Sequence, residues 1–156
     1  MGKSGIHIEV PKFELDKLNR DLKRYSEHKR SQISLEIEGA LVQTLADAKS
    51  SLNSQSPGRG GAGLAGSGYV KYFKDKLSGM VWFNRFYAAY LEFGTGKNVF
   101  KGSSFKFTTG MKQYASQFKK GGKRNPNLKA RPYLFPAFVE NTKNLVSNIK
   151  KLLEKK

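Results

Sequence analysis

The chain contains no cysteine, which excludes disulfides, thiolate metal sites and cysteine nucleophiles. Histidine is almost as scarce. His7 and His28 are its two imidazoles, too few for a His-rich zinc site. No run of about 18 apolar residues occurs, so nothing in the sequence reads as a membrane-spanning helix. The first ten residues lack the apolar core of a secretory signal. The expectation is a soluble protein that is intracellular when made. Acidic residues are missing altogether from 93–139.

That last absence organises the charge. At 156 residues the chain is about one domain long, and its formal net charge is +17. Residues 1–56 carry nine basic and eight acidic side chains, an ordinary mixed surface. Residues 93–139 carry ten basic side chains and no acid, and so hold most of the excess. Such a stretch is either a solvated loop or a surface that meets a polyanion or an acidic partner. Lys119, Lys120, Lys123 and Arg124 are its densest cluster and the candidate contact residues.

Ile6, Ile8 and Val10 alternate with polar residues up to Pro11, which predicts a short strand. No proline falls between residues 12 and 56, and Ile33, Ile37, Ala40, Leu41, Leu45, Ala48 and Leu52 repeat at helical spacing. This predicts one long helix, or two consecutive ones broken near residues 27–31. Residues 57–68 hold six glycines in twelve positions with Leu64 the one large apolar residue, and read as a flexible loop. Residues 69–76 and 80–83, joined through Leu77, Ser78 and Gly79, predict a β-hairpin. Residues 85–93 suggest a short helix stopped by Gly94 and Gly96, and 109–118 a second. Residues 97–131 form a basic loop. A last helix over about 135–153 carries the stripe Phe138, Thr142, Leu145, Val146, Ile149, Leu152 and Leu153. The fold class is α+β in a single domain: a long N-terminal helix and a C-terminal helix packed on a small antiparallel sheet.

No set of side chains points to catalysis. Gly94-Thr95-Gly96-Lys97 is not a phosphate loop, because Leu91 stands where the first glycine is needed and Asn98 where Ser or Thr is needed. Glu92 stands alone among aromatics, without the second carboxylate or histidine that acid–base chemistry requires. It accepts hydrogen bonds from local backbone or pairs with Arg131. No catalytic residue, cofactor or metal is expected. The aromatic residues between Tyr69 and Phe93 either form the core and a subunit interface or stack nucleic-acid bases.

Two segments carry a resemblance. Residues 87–96 read YAAYLEFGTG and are similar to the YA-x-Y-[VL]-E-F-G-T signature of tailed-phage neck, head–tail joining and tail-completion proteins of the minor tail component type. Tyr87, Tyr90, Glu92, Phe93, Gly94 and Thr95 are the matching positions. Residues 130–137 read ARPYLFPA and resemble that family's A-R-P-[FY]-L-x-P-A segment, through Arg131, Pro132 and Pro136. The order of elements resembles the family's from about residue 10 to 153. One segment departs: the family's P-x-D-T-G-x-L-x-x-S keeps Pro57, Gly61, Leu64 and Ser67 here, with glycine-rich sequence in place of Asp-Thr. The resemblance implies a structural virion protein forming a homo-oligomeric ring. Its neighbours would be a head connector and a tail tube or tail terminator, with DNA passing through the pore. The other reading is a small basic nucleic-acid-binding module.

The motifs also have a physical reading. An unpaired Glu92 would be costly to bury, and Arg131, held by Pro132, is a candidate partner. Glu92 and Arg131 are then expected to form one clasp that docks the last helix on the hairpin.

Overall fold

The computed structural model describes residues 6–9, 14, 16–17, 19–20, 27–55, 63–74, 77–101, 103–120 and 127–154. The first long stripe folds as one continuous helix, α1 (Glu27–Gln55), opening on an acidic residue that suits a helix N-terminus. It begins at Glu27, within the stretch 27–31 where the sequence allowed two consecutive helices to part. Residues 14, 16–17 and 19–20 are helical as well. The inner face of α1 buries Ile33, Ile37, Leu41, Thr44, Ala48 and Leu52. Thr44 interrupts the apolar stripe without a stranded hydroxyl, because its Oγ1 donates to the Ala40 carbonyl at 2.7 Å.

Three strands form an antiparallel sheet, β1 (Ile6–Glu9), β2 (Gly68–Tyr72) and β3 (Gly79–Phe83), in the order β1-β3-β2, and β2 and β3 lie against α1. Tyr69 pairs with Trp82 and Val70 with Val81, while His7 faces Trp82 from the other side. On β3, Gly79, Val81 and Phe83 are buried, and Met80 and Trp82, which alternate with them, are half-buried, as a one-sided sheet requires. The hairpin loop is longer than the Leu77-Ser78-Gly79 turn the sequence suggests. It spans 73–78 and is closed by the Phe73 N–H donating to the Ser78 carbonyl at 3.0 Å. Gly79 belongs to the strand, where contact with α1 demands it: a Cβ there would lie 2.5 Å from Leu41 Cδ1 and 2.9 Å from the Lys71 carbonyl.

The glycine-rich segment divides. Residues 57–62 lie outside the described residues. Residues 63–65 make a helical turn in which Leu64 is fully buried. The Ser67 N–H and hydroxyl both donate to the Leu64 carbonyl, at 2.9 and 2.7 Å. Part of the segment expected as a loop over 57–68 is thus regular: 63–65 form a helical turn with Leu64 and Ala65 buried, and Gly68 opens β2.

After the sheet come α2 (Ala88–Phe93), a 3₁₀ turn (Gly96–Asn98), α3 (Thr109–Ala115) with a 3₁₀ continuation (Ser116–Lys120), and α4 (Leu134–Glu154). α4 packs antiparallel along α1, and polar contacts mark the register. Lys29 Nζ donates to the Leu152 carbonyl (2.9 Å), Asn148 Nδ2 to Glu36 (3.0 Å), Asn141 Nδ2 to Asp47 (2.7 Å) and Gln55 Nε2 to the Pro132 carbonyl (3.2 Å). The buried arc of α4 is Leu134, Ala137, Asn141, Leu145 and Ile149. Val146, counted in the predicted stripe, is exposed instead. Asn141 takes an inward position because both protons of its amide find acceptors, Asp47 and the Ala137 carbonyl at 2.9 Å.

Candidate functional site

The two motifs meet. The first occupies α2 and the residues after it; the second leads into α4. Their contact is a dense set of backbone bonds. The Arg131 N–H donates to the Leu91 carbonyl at 2.8 Å, and the Thr95 N–H to the Leu128 carbonyl at 2.9 Å. In return, Thr95 Oγ1 accepts from the Leu128 N–H at 2.8 Å. Gly94 sits at φ +78, and a Cβ on it would fall 2.6–2.8 Å from the Asn98 carbonyl, the Ala130 nitrogen and the Leu128 carbonyl. Only a residue without a side chain serves there, both for the dihedral and for the closeness of the second strand of chain.

Glu92 lies at the centre and is fully buried. Its Oε2 accepts from the Tyr133 and Leu134 N–H groups at 2.9 and 3.0 Å, and its Oε1 from the Phe135 N–H at 3.0 Å. These are the first donors of α4. A helix leaves its first four N–H groups without intrahelical partners. Here three go to Glu92, and the fourth position is Pro136, which has no N–H. The helix start has no Ser, Thr, Asp or Asn of its own, so the cap is supplied from α2, 41 to 43 residues upstream. The other end of α4 is also capped from afar, by Lys29 on the Leu152 carbonyl.

This corrects the expected clasp. Glu92 and Arg131 stand in contacting segments, but the carboxylate is not the guanidinium's partner. Arg131 is exposed, and its Nη1 donates to the Gln55 carbonyl at 3.2 Å, near the end of α1. The reason is geometric: three converging helix N–H groups satisfy a buried carboxylate without bringing a second charge out of water. Docking on the hairpin falls to Tyr133, whose ring packs edge-on against Phe83 of β3 at 5.1 Å between centroids. The sequence held one signal for the true arrangement, a helix opening on Tyr-Leu-Phe-Pro with no capping side chain.

Burial pushes the Glu92 carboxyl up to about 7 from an ordinary 4.5, and the three backbone N–H groups pull it only part of the way back. The Tyr133 hydroxyl is raised further, first by burial and then by Glu92 and Tyr87. That hydroxyl is buried and makes no hydrogen bond among the described residues. What this arrangement does chemically is fasten a helix. Among the described residues no group of three His, Asp or Glu could hold a metal ion, and no helix is long and apolar enough to cross a membrane.

The second feature is the basic surface. Lys97, Lys101, Lys106, Lys112, Lys119, Lys120, Lys129 and Arg131 are all exposed. Lys123 and Arg124 lie outside the described residues. The 3₁₀ turns bearing Lys97 and Lys119–Lys120 pack on each other. Beneath them Phe93, fully buried, collects Phe100, Phe107, Tyr114, Phe118 and Phe135, with ring centroids 5.5–6.4 Å away. Tyr90 and Tyr114 pack on Phe118 and remain 39% and 44% exposed. Of the aromatic residues, Phe83 and Phe93 are core, while Tyr69, Tyr72, Phe86, Tyr90 and Tyr114 face solvent in part. The chain matches no family model, no curated protein and no solved structure.

Proposed function

We propose that the protein is a structural component of a tailed-phage virion. In this reading it assembles in the host cytoplasm as a homo-oligomeric ring at the head–tail junction, as a neck or tail-completion protein. It acts as an adaptor and not as an enzyme, with no cofactor, between a head connector and a tail tube or tail terminator. The observation that carries the reading is the convergence of the two phage-like motifs. Leu91, Glu92, Gly94 and Thr95 of the first each contact, or leave room for, backbone of residues 128–135. The two segments that carry the resemblance belong to one structural unit, which supports reading them together. The fastening of α4 by a buried cap supports a rigid building block, and Glu92 spends its acceptors on holding backbone.

The test is direct. Sedimentation velocity and electron microscopy of the purified protein should show closed rings, and mass spectrometry should find the chain in purified particles. Removing it should leave DNA-filled heads without tails. A chain absent from purified particles, with particle assembly unaffected by its loss, would refute the proposal.

One observation favours a second reading, a nucleic-acid-binding module: eight exposed cations on the described part of 97–131, beside half-exposed Tyr90 and Tyr114. That reading requires tight binding of free subunits to DNA or RNA, with affinity falling steeply as salt rises.

A further inference from the structure

We infer that the outer face of α1 is one half of the subunit interface, and that it docks on the basic, tyrosine-bearing face of the next copy of the same chain. The inference rests on the ring reading above and specifies which surfaces join.

α1 has two apolar faces, and the fold uses one. Opposite the buried arc, Leu35, Gly39, Val42 and Ala46 are all exposed, Leu35 by 65% and Val42 by 52%. Their spacing of four, three and four residues makes a straight seam along the helix, the pattern with which helices present knobs to a partner. Gly39 stands in the middle of it. Among the described residues nothing lies within 4 Å of a Cβ built there, so their packing gives no reason for a glycine in a helix interior, where it is destabilising. A partner approaching closely at that point does give one.

Charge selects the partner. Residues 31–48 carry Glu36, Glu38 and Asp47 and no Lys or Arg, in a chain of net charge +17. Glu38 flanks the seam on one side, and Glu36 on the other, where it also accepts from Asn148 of α4. Two such seams meeting each other would set like charges together. The opposite surface is on the same molecule: Tyr90 and Tyr114 pack on Phe118, which exposed Lys119 and Lys120 follow directly, and the turn bearing exposed Lys97 packs on that same segment. Tyrosine with a cationic rim is suited to a hydrophobic seam with an acidic rim. A contact between two different patches of one chain is heterologous, and such contacts form a ring where the rotation between copies closes and a filament where it does not.

The test uses the full chain in sedimentation velocity over a range of concentration and salt. Glu38→Lys alone and Lys119→Glu/Lys120→Glu alone should each raise the apparent dissociation constant of assembly by about tenfold or more, and the three changes together should recover most of that loss. Gly39→Leu should abolish assembly while circular dichroism and thermal unfolding show an intact subunit. Rings that form equally well in all these variants would overturn the inference and leave the ring reading standing. A wild-type chain that stays monomeric at high concentration would overturn both. If only the Lys119/Lys120 variant fails, without rescue by Glu38→Lys, and duplex DNA binding fails with it, the basic face serves DNA and the inference falls.

Discussion

Replacing Glu92 by Gln tests the cap on α4, because the two side chains have the same shape and differ in charge and in acceptor count. The carboxylate offers two oxygens to three N–H groups, from Tyr133, Leu134 and Phe135. The amide offers one oxygen and turns an NH₂ toward at least one of those donors. Leaving a buried N–H unmatched costs about 1–3 kcal/mol. A second effect has the opposite sign. In the folded protein the Glu92 carboxyl is raised to about 7 from 4.5. Its contribution to stability is therefore fully present below about pH 4.5 and is lost as pH rises through about 7, amounting to about 3 kcal/mol at alkaline pH. Gln does not titrate. At pH 5 the folded parent carries the protonated acid, whose hydroxyl oxygen can still accept where the Gln NH₂ cannot, so the variant should be less stable by about 1 kcal/mol; by pH 8.5 the difference should have moved in favour of Gln by about 3 kcal/mol, because only Glu92 ionises. Urea unfolding of both proteins at half-unit pH steps measures this, and other titrating groups cancel in the difference. A gap that is flat with pH, or that widens as pH rises, would refute the reasoning. It would mean that the helix donors hold the ionised carboxylate more strongly than burial opposes it.

The structure sets three further outcomes. Gly94→Ala should destabilise the fold by more than about 2 kcal/mol in chemical denaturation, since its Cβ would strike three backbone atoms at a φ of +78. Tyr133→Phe should be neutral or stabilising by up to about 1 kcal/mol, because it removes a buried hydroxyl that makes no hydrogen bond among the described residues; a clear loss of stability would reveal a partner for that oxygen. Gly39→Ala should stabilise the isolated subunit by about 0.5–1 kcal/mol, read as a higher midpoint of thermal unfolding, because the site is open and helical.

What the sequence determined by itself is what neighbouring residues decide among themselves. The stripe from Ile33 to Leu52 specified α1 and its buried face, because helical periodicity is local and leaves its mark within a few turns. Gly94, with Gly96 behind it, marked the end of α2 for the same reason. The second motif marked the start of α4, where Pro132 and Pro136 bracket the first turn. The adjacency of β2 and β3 was legible too, although the loop between them was not. Tertiary structure decided the rest. β1 reaches across to β3, and nothing in Ile6–Glu9 names its partner. Asn141 looks like a surface residue until Asp47 arrives opposite it. Leu64 looks too isolated to order its loop until the core closes over it. Glu92 is the clearest case. Its neighbours show that a carboxylate among aromatics needs partners, and Arg131 is the one candidate visible as a side chain. The partners it takes are backbone N–H groups, which every residue but proline carries and no sequence distinguishes. Which three of them stand free at one point in space is settled only when α2 and the first turn of α4 are brought together.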